Sequence, residues 1–292
     1  MTPSTGPVSV QPAASHDAAM IVRYCQMLQR LAYTLTRDLP ALGEFGARRI
    51  AAETGAGVEH TLESALTALG PLVEACRAAR REYVAHQLAA RGLTPASRGL
   101  RINLGAGEHP IESWLNIDMR SADLILDLTW GLPFADGSVA YAFSAHVLEH
   151  LYYPREALHV VQELHRVLEP GGVLRVVVPD IEKCIRAYAT EDVDFFVDRR
   201  QTWTWWPTGD TPLESFLAYA GASAAPGDIA GHKFGYDFET LSKLLRRAGF
   251  TRIERSDYMQ SRHEALRVDD RSLVAGATSQ AGHYSLFVDA TV

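Results

Sequence analysis

The amino-acid sequence predicts an α/β protein with a mainly parallel sheet and flanking helices, preceded by an all-helical region. Between Leu100 and Pro179, apolar strand-like segments alternate with turns that carry glycine or acidic residues. One segment, Val173–Val178, is interpreted as a fully apolar run, as expected of a central parallel strand buried on both faces. From Ala18 to about Arg91, apolar residues instead recur at helical spacing. The predicted strands are Leu100–Leu104, Trp114–Asp118, Ala122–Leu128, Val139–Phe143, Val173–Val178, Thr251–Ser256 and Ser285–Ala290.

The first strand leads directly into Gly105, Ala106 and Gly107. Glycine lets the backbone turn tightly and approach a ligand with no Cβ in the way. Only nine residues, Gly105 to Ser113, separate this strand from the next. A parallel crossover that includes a helix normally needs roughly ten to twelve residues, so the first helix is expected to be a single turn or absent. This disfavours a full dinucleotide site, whose pyrophosphate needs a helix N-terminus.

Acidic residues end the second and third strands. The carboxylate of Asp118, followed by Met119, is placed to accept hydrogen bonds from both hydroxyls of a ribose. Asp127 is placed to accept the amino hydrogens of an adenine, while Leu128 packs on the ring. The alternative for either carboxylate is a surface loop or a helix cap.

The fourth strand is followed by Ser144 and then by the sequence His146-Val-Leu-Glu-His150. The spacing His-x-x-Glu-His is also that of a class of zinc proteases, in which two histidines four residues apart on a helix bind the ion. No acidic residue further along the chain stands out as a third ligand. We therefore expect no metal in this protein.

Helix signals flank the later strands. Pro154 is tolerated in a first helical turn, and the apolar residues after it keep helical spacing up to the stop signal Glu169-Pro-Gly-Gly172. Asp237 is expected to cap another helix, which Gly249 ends.

Several segments in this order resemble motifs of the class I S-adenosylmethionine-dependent methyltransferases. The resemblance extends from Leu100 to Val292, and this part of the chain is most similar to a bacterial branch of the family with a short first crossover. It implies a Rossmann-like sheet of seven strands and S-adenosylmethionine as cofactor. The segments are Asn103-Leu-Gly-Ala-Gly107, Trp114-Leu-Asn-Ile-Asp118, His146-Val-Leu-Glu-His150, Leu168-Glu-Pro-Gly-Gly172 and Val178-Pro-Asp180.

The resemblance also implies site residues. His146 lies just past the fourth strand, where catalytic groups face the sulfonium, and is expected to remove the acceptor's proton, whereas His150 caps or packs. The residues expected to bind the cofactor are Gly105, Ala106, Gly107, Asp118, Met119, Asp127, Leu128, Ser144 and His146.

Three functions fit these residues. The first is transfer of the methyl group to an oxygen or nitrogen of a small molecule. The second is cleavage or cyclisation of S-adenosylmethionine by its own amino group, which releases methylthioadenosine and forms a product of the azetidine-carboxylate type. The third is a non-catalytic module whose helical region binds a partner.

The remaining segments divide the chain. Residues 1–17 are expected to be disordered, 18–98 to form helices that cover the substrate or pair with a second copy, and 99–292 to form the cofactor-binding domain. Within the last, 181–235 is expected to be a lid-like insertion. Its aromatic side chains would form either a cage around a cationic ligand or the core of the lid, and its last residues would either reach the substrate or form a hinge. These residues are Trp203, Trp205, Trp206, Tyr219, His232 and Lys233, followed by Tyr236.

Composition limits the partners. A net charge of −7 disfavours non-specific binding to nucleic acid. No apolar stretch approaches the roughly 20 residues that span a bilayer, and the N-terminus lacks a basic-then-apolar signal pattern. The three cysteines, an odd number without metal-like spacing, are typical of reduced thiols. We therefore expect a cytoplasmic protein with a small-molecule substrate and no nucleic-acid or membrane partner.

Overall fold

The structure, a computed structural model, describes residues 39–120, 122–196, 211–222, 231–269 and 284–292. The chain divides into two units, Met1–Ala78 and Ala79–Val292. The segment predicted to be disordered and the first predicted helix lie outside the described residues. The same holds for Trp203, Trp205 and Trp206.

The N-terminal region is helical where the structure describes it. Helix α1 spans Leu39–Thr54, and helix α2 spans Val58–Ala90 and contains Pro71. The sequence predicts helices between residues 18 and 98, and the described residues of that range contain these two. None of the described helices combines the length and apolar composition needed to cross a bilayer.

The second unit contains a seven-stranded sheet of order β3-β2-β1-β4-β5-β7-β6. Strands β1 to β5 run parallel, β7 is antiparallel to β5, and β6 is antiparallel to β7. This confirms the predicted α/β class with a mainly parallel sheet. The strands are β1 Leu100–Leu104, β2 Leu115–Asp118, β3 Leu124–Ile125, β4 Val139–Ala145, β5 Leu168–Pro179, β6 Arg252–Ser256 and β7 Ser285–Thr291.

Two helices of this unit, α3 (Arg155–Val167) and α6 (Phe238–Ala248), lie where the sequence predicts them. Pro154 is the N-cap of α3, and the Asp237 carboxylate caps α6 by accepting a hydrogen bond from the Thr240 backbone N–H at 2.7 Å. Gly249 ends α6 with a φ of +116°, a conformation that glycine adopts without strain. The helices are α3 Arg155–Val167, α4 Ile181–Ala189, α5 Pro212–Tyr219 and α6 Phe238–Ala248.

Two strands differ from the prediction. Strand β3 has two residues, and the side chain of Gln87 bonds its edge by accepting from the Ile125 N–H and donating to the Ile125 carbonyl, at 2.8 and 3.1 Å. Strand β5 begins at Leu168 and includes the predicted stop signal, because Leu168 pairs with Val139 and a register shift absorbs the following residues.

The connection from β1 to β2 contains no helix, as the short spacing predicts. The peptide turns at Gly105 and returns to begin β2 at Leu115. The end of β1 is therefore free of the helix N-terminus that a dinucleotide fold places there.

Strand β5 is not apolar throughout, since Arg175 lies fully buried in its centre. The Arg175 guanidinium donates to both carboxylate oxygens of Asp269 at 2.6 and 2.7 Å, to Asp289 at 2.7 Å and to the Asp257 carbonyl at 2.8 Å. The expected apolar strand thus contains a buried ion pair that joins β5, β7 and the segment after β6. Its charge is matched by two carboxylates and its donors are used, which is how a buried charge is tolerated.

We expect Arg175→Met to lower the free energy of unfolding by about 3–5 kcal/mol, because the two carboxylates stay buried without their cation. Urea unfolding monitored by circular dichroism measures this difference. The matched control is Arg186→Met, whose exposed pair with Glu182 contributes at most about 1 kcal/mol. Equal effects of the two substitutions would contradict the structural role of Arg175.

Candidate functional site

The sequence-predicted site residues gather at the carboxyl ends of β1 to β4. Strands β1 and β4 are neighbours, but the chain leaves β1 toward β2 and leaves β4 toward β5, on opposite sides. Such a reversal opens a crevice outside the strand ends, where open α/β sheets bind their ligands. Pairing of Leu104 with Ser144 fixes the two strand ends beside this crevice.

The glycines of the β1–β2 loop serve different purposes. Gly105 has a φ of +64°, and a Cβ added to it would lie 2.3 Å from Cγ2 of Val147, so the loop packs directly on the segment after β4. Gly107 has a φ of +50°, and a Cβ there would meet no described atom within 4 Å. Ala106 between them is buried. The crevice is therefore closed at Gly105 and open at Gly107.

Asp118 holds this loop in place. Its Oδ2 accepts a hydrogen bond from the Gly107 backbone N–H at 3.0 Å, and its Oδ1 accepts one from the Arg120 N–H at 3.0 Å. The carboxylate is half-buried, and the next side chain, Met119, is exposed. A carboxylate has about four acceptor sites, so these two bonds leave capacity for a ligand.

Asp127 is a helix cap, the alternative considered for it above. Its Oδ1 accepts from the backbone N–H and the hydroxyl of Thr129 at 2.9 and 2.7 Å, which starts the short 3₁₀ helix Leu128–Trp130. Leu128 is buried in the main apolar core. Both residues lie at the predicted end of the sheet, and both already have structural contacts there.

Ser144 presents a buried hydroxyl at the end of β4. The residue is 1% exposed, and its Oγ has no hydrogen-bond partner among the described residues. A buried hydroxyl without a partner has a free-energy cost, so such groups commonly mark a position where a ligand or water binds.

His146 has the geometry of an oriented base. Its Nδ1 lies 3.1 Å from Oε1 of the fully buried Glu149, and its Nε2 lies 3.5 Å from the Ser285 hydroxyl. The ring is 5.7 Å from that of Tyr284 and a quarter of the side chain is exposed. The backbone φ of +54° is rare for a residue with a side chain and is held by the 2.9 Å bond from its N–H to the Val177 carbonyl.

Glu149 keeps its charge although it is buried. Burial raises the pKa of this carboxyl, but the hydrogen bond to His146 and the positive charges that His146, His150 and His232 carry when protonated outweigh burial and lower the pKa to about 2. An ionised carboxylate accepts hydrogen bonds and donates none. Nδ1 of His146 must therefore carry a proton, and in the neutral form of the ring the lone pair lies on Nε2.

Two further histidines lie beside Glu149. The rings of His150 and His232 are 5.0 Å apart and meet edge to face. Nδ1 of His232 is 3.1 Å from the Tyr219 carbonyl oxygen, and Nδ1 of His150 is 3.4 Å from that of Gly231. From the sequence, His232 was expected either to reach the substrate or to belong to a hinge. The structure places it beside Glu149, because the Lys233 and Phe234 N–H groups both donate to the Glu149 carbonyl.

The tyrosines expected in an aromatic cage lie in the protein interior. Tyr219 is 1% exposed and donates to the Tyr284 carbonyl at 3.2 Å, while Tyr236 is fully buried and donates to the Leu148 carbonyl at 3.4 Å. Burial raises the pKa of the Tyr236 hydroxyl, so it stays protonated. Tyr219 and Tyr236 therefore pack in the core, which was the alternative to an aromatic cage around a cationic ligand.

Sequence reasoning overlooked Glu149 as a site residue and gave no sign of Ser285 or Tyr284. Glu149 was visible within the motif quoted above, whose spacing three residues after His146 allows the pair to form. Ser285 begins β7, far along the chain, and only the insertion of β7 beside β5 brings it to His146.

A glycine loop after β1, acids after β2 and β3, and this sheet order define a Rossmann-like cofactor-binding domain. Residues 107–176 match the family model of a methyltransferase domain. The family match and the sheet order support a methyltransferase domain of the class I S-adenosylmethionine-dependent type in this part of the chain, with S-adenosylmethionine as its cofactor. Membership of a branch with a short first crossover stays a prediction.

Similar solved structures are distant, and no curated protein sequence matches the chain. A methyltransferase from Thermotoga maritima has 17% identity and a TM-score of 0.37, and the match covers 72% of this chain and 88% of that one. The 1,6-didemethyltoxoflavin-N1-methyltransferase of Burkholderia thailandensis, with S-adenosylhomocysteine bound, has 15% identity and a TM-score of 0.36 over 80% and 88%. One from Methanosarcina mazei has 15% identity and a TM-score of 0.39 over 67% and 92%.

We expect Gly105→Ala to lower the free energy of unfolding by about 2–4 kcal/mol, since its methyl group overlaps Val147 and its φ is unfavourable. Gly107→Ala is the matched control, with the φ penalty alone of about 1–2 kcal/mol. Adding Val147→Ala to Gly105→Ala should recover the difference in urea unfolding. Failure of that rescue would show that the close approach of the two segments is not what requires glycine.

Proposed function

We propose that the protein transfers the methyl group of S-adenosylmethionine to an oxygen or nitrogen of a small-molecule acceptor, with His146 as the general base. The observation that carries this proposal is the pair of His146 and the buried carboxylate of Glu149 at the crevice between β1 and β4. We assign the reaction to residues 99–292 and propose the helices of 18–98 and the insertion 181–235 as further elements that select the acceptor.

The residues around the crevice fit the cofactor. Open space above Gly107 gives room for a ligand, the half-buried carboxylate of Asp118 suits the ribose hydroxyls, and the hydroxyl of Ser144 gives a buried polar contact. We keep Asp127 as the group that accepts from adenine. The remaining proposed contacts are the backbone of Gly105 and Ala106 and the side chains of Met119 and Leu128. The sulfonium makes the methyl group a strong electrophile, so the protein has mainly to align the acceptor.

His146 can act as a base because Glu149 holds its ring in one orientation. Glu149 fixes the His146 ring by accepting from Nδ1, which leaves the lone pair on Nε2 and stabilises the imidazolium that forms when Nε2 takes the acceptor's proton. Glu149 does not touch the acceptor and acts as a positioning residue. The Ser285 hydroxyl, 3.5 Å from Nε2, lies where the acceptor's oxygen or nitrogen has to approach.

We expect Asp118→Asn and Asp127→Asn each to weaken the binding of S-adenosylhomocysteine by roughly 10- to 100-fold, the loss of a charge-assisted hydrogen bond. Asparagine is a good N-cap, so Asp127→Asn removes a charge without removing the cap. Isothermal titration calorimetry gives the dissociation constants. Asp136→Asn, at a carboxylate that is 80% exposed and outside the crevice, is the control and should bind like wild type.

We expect His146→Ala to lower kcat by about 10²- to 10⁴-fold, because no group then removes the acceptor proton. The assay is mass spectrometry of S-adenosylhomocysteine formed with a panel of small phenols, amines and imidazoles. His159→Ala, which removes an exposed imidazole on α3, should leave kcat unchanged.

Two outcomes would contradict the proposal. Full turnover by His146→Ala, with normal affinity for S-adenosylhomocysteine, would remove His146 from the chemistry. Release of methylthioadenosine from S-adenosylmethionine with no acceptor present would assign the cleaving or cyclising function instead.

A further inference from the structure

We propose that Glu149, His150 and His232 bind a divalent transition-metal ion such as Zn²⁺. One ligand atom from each of the three side chains lies within 4.8 Å of the other two. They come from two segments, the turn after β4 and the end of the insertion, which the hydrogen bonds to the Glu149 carbonyl hold together. The inference rests on these residues and does not depend on the proposed methyl transfer.

The tautomers of both histidines suit metal binding. A carbonyl oxygen can only accept, so the contacts of His232 with Tyr219 and of His150 with Gly231 place the proton on Nδ1. In the neutral form of each ring the lone pair is then on Nε2. Metal-binding histidines characteristically donate their other N–H to a backbone carbonyl in this way.

The carboxylate supplies the charge. Oε1 of Glu149 bonds His146, whereas Oε2 is buried and has no hydrogen-bond partner among the described residues. A buried anionic oxygen without a partner has a large desolvation cost that a cation would offset. The unpartnered Oε2 is the independent observation that separates this cluster from three side chains that merely lie near one another.

The donor set selects the kind of ion. Two imidazole nitrogens and one carboxylate oxygen suit Zn²⁺ or another transition metal better than Mg²⁺ or Ca²⁺, which prefer oxygen. With metal–ligand bonds of about 2.1 Å, tetrahedral ligands lie roughly 3.4 Å apart, so the side chains need to close by up to about 1.4 Å from a separation of at most 4.8 Å. Three protein ligands leave at least one position open for water or another ligand.

This site differs from the zinc-protease pattern considered in the sequence. There the two histidines of His-x-x-Glu-His bind the ion from one helix, whereas here the segment Leu148–His150 is a single 3₁₀ turn and His146 bonds Glu149. The three proposed ligands are Glu149, the adjacent His150, and His232 from the end of the insertion. From the sequence we expected no metal, because only acidic residues further along the chain were considered as a third ligand and histidines such as His232 were not.

The test uses the full chain after treatment with a chelator, titrated with Zn²⁺ and separately with Co²⁺. We expect one ion per chain, and Co²⁺ should give the visible absorption of a four- or five-coordinate site. His232→Ala and Glu149→Gln should each weaken Zn²⁺ binding at least about 100-fold, beyond the loss typical of outer-shell changes. His159→Ala, the exposed control, should bind like wild type.

If His232→Ala or Glu149→Gln folds poorly, a variant that replaces His232 with another metal-binding side chain still tests the site. His232→Cys should retain Co²⁺ and add a thiolate-to-cobalt charge-transfer band in the near ultraviolet, which a merely structural histidine would not produce. Circular dichroism checks the fold of every variant.

Either of two results would overturn the metal site: wild type that does not bind one equivalent of Zn²⁺ or Co²⁺, or His232→Ala and His232→Cys variants that bind as wild type does. S-adenosylhomocysteine affinity and methyl transfer are measured on the same preparations. Transfer without metal binding would remove only the metal site, and metal binding without transfer would remove only the proposed function.

Discussion

The parallel pairing of β1 with β4 is the constraint on which the candidate site depends. It places Leu104 beside Ser144, so that the glycine loop and the turn containing His146 leave the sheet next to each other. The close approach of Gly105 to Val147 is a direct result, because both residues lie just past the ends of these paired strands. The space between them cannot accommodate a Cβ at position 105. The other candidate groups, apart from His232 in the insertion, follow one of these segments or lie at the end of another strand.

The carboxylate of Glu149 organises the side of the crevice that contains His146. One oxygen orients His146, the other is buried without a hydrogen-bond partner among the described residues, and the backbone carbonyl accepts from the residues after His232. One buried anion thus joins the proposed base, the proposed metal site and the end of the insertion. A group with three such partners gives the turn after β4 a single conformation, which a base of fixed direction requires.

Local pattern was sufficient for most elements of the fold. Asp237 caps the start of a helix and Gly249, with its positive φ, ends it, and both effects depend only on neighbouring residues. The link from Gly105 to the second strand is too short to contain a helix. Pattern was insufficient for β3 and β5. The end of β3 is set by Gln87 from a distant helix, and the centre of β5 tolerates Arg175 only because Asp269 and Asp289 meet it there.

The sequence by itself determined the fold class, the order of motifs and the groups that gather at the carboxyl ends of β1 to β4, since parallel strands direct those ends to one edge. Tertiary structure decided which groups touch. It assigned Asp127 to a cap, turned Tyr219 and Tyr236 inward, and brought Ser285 and His232 to the histidines after β4. Contacts between residues distant along the chain depend on sheet order and loop closure, and no local spacing encodes either.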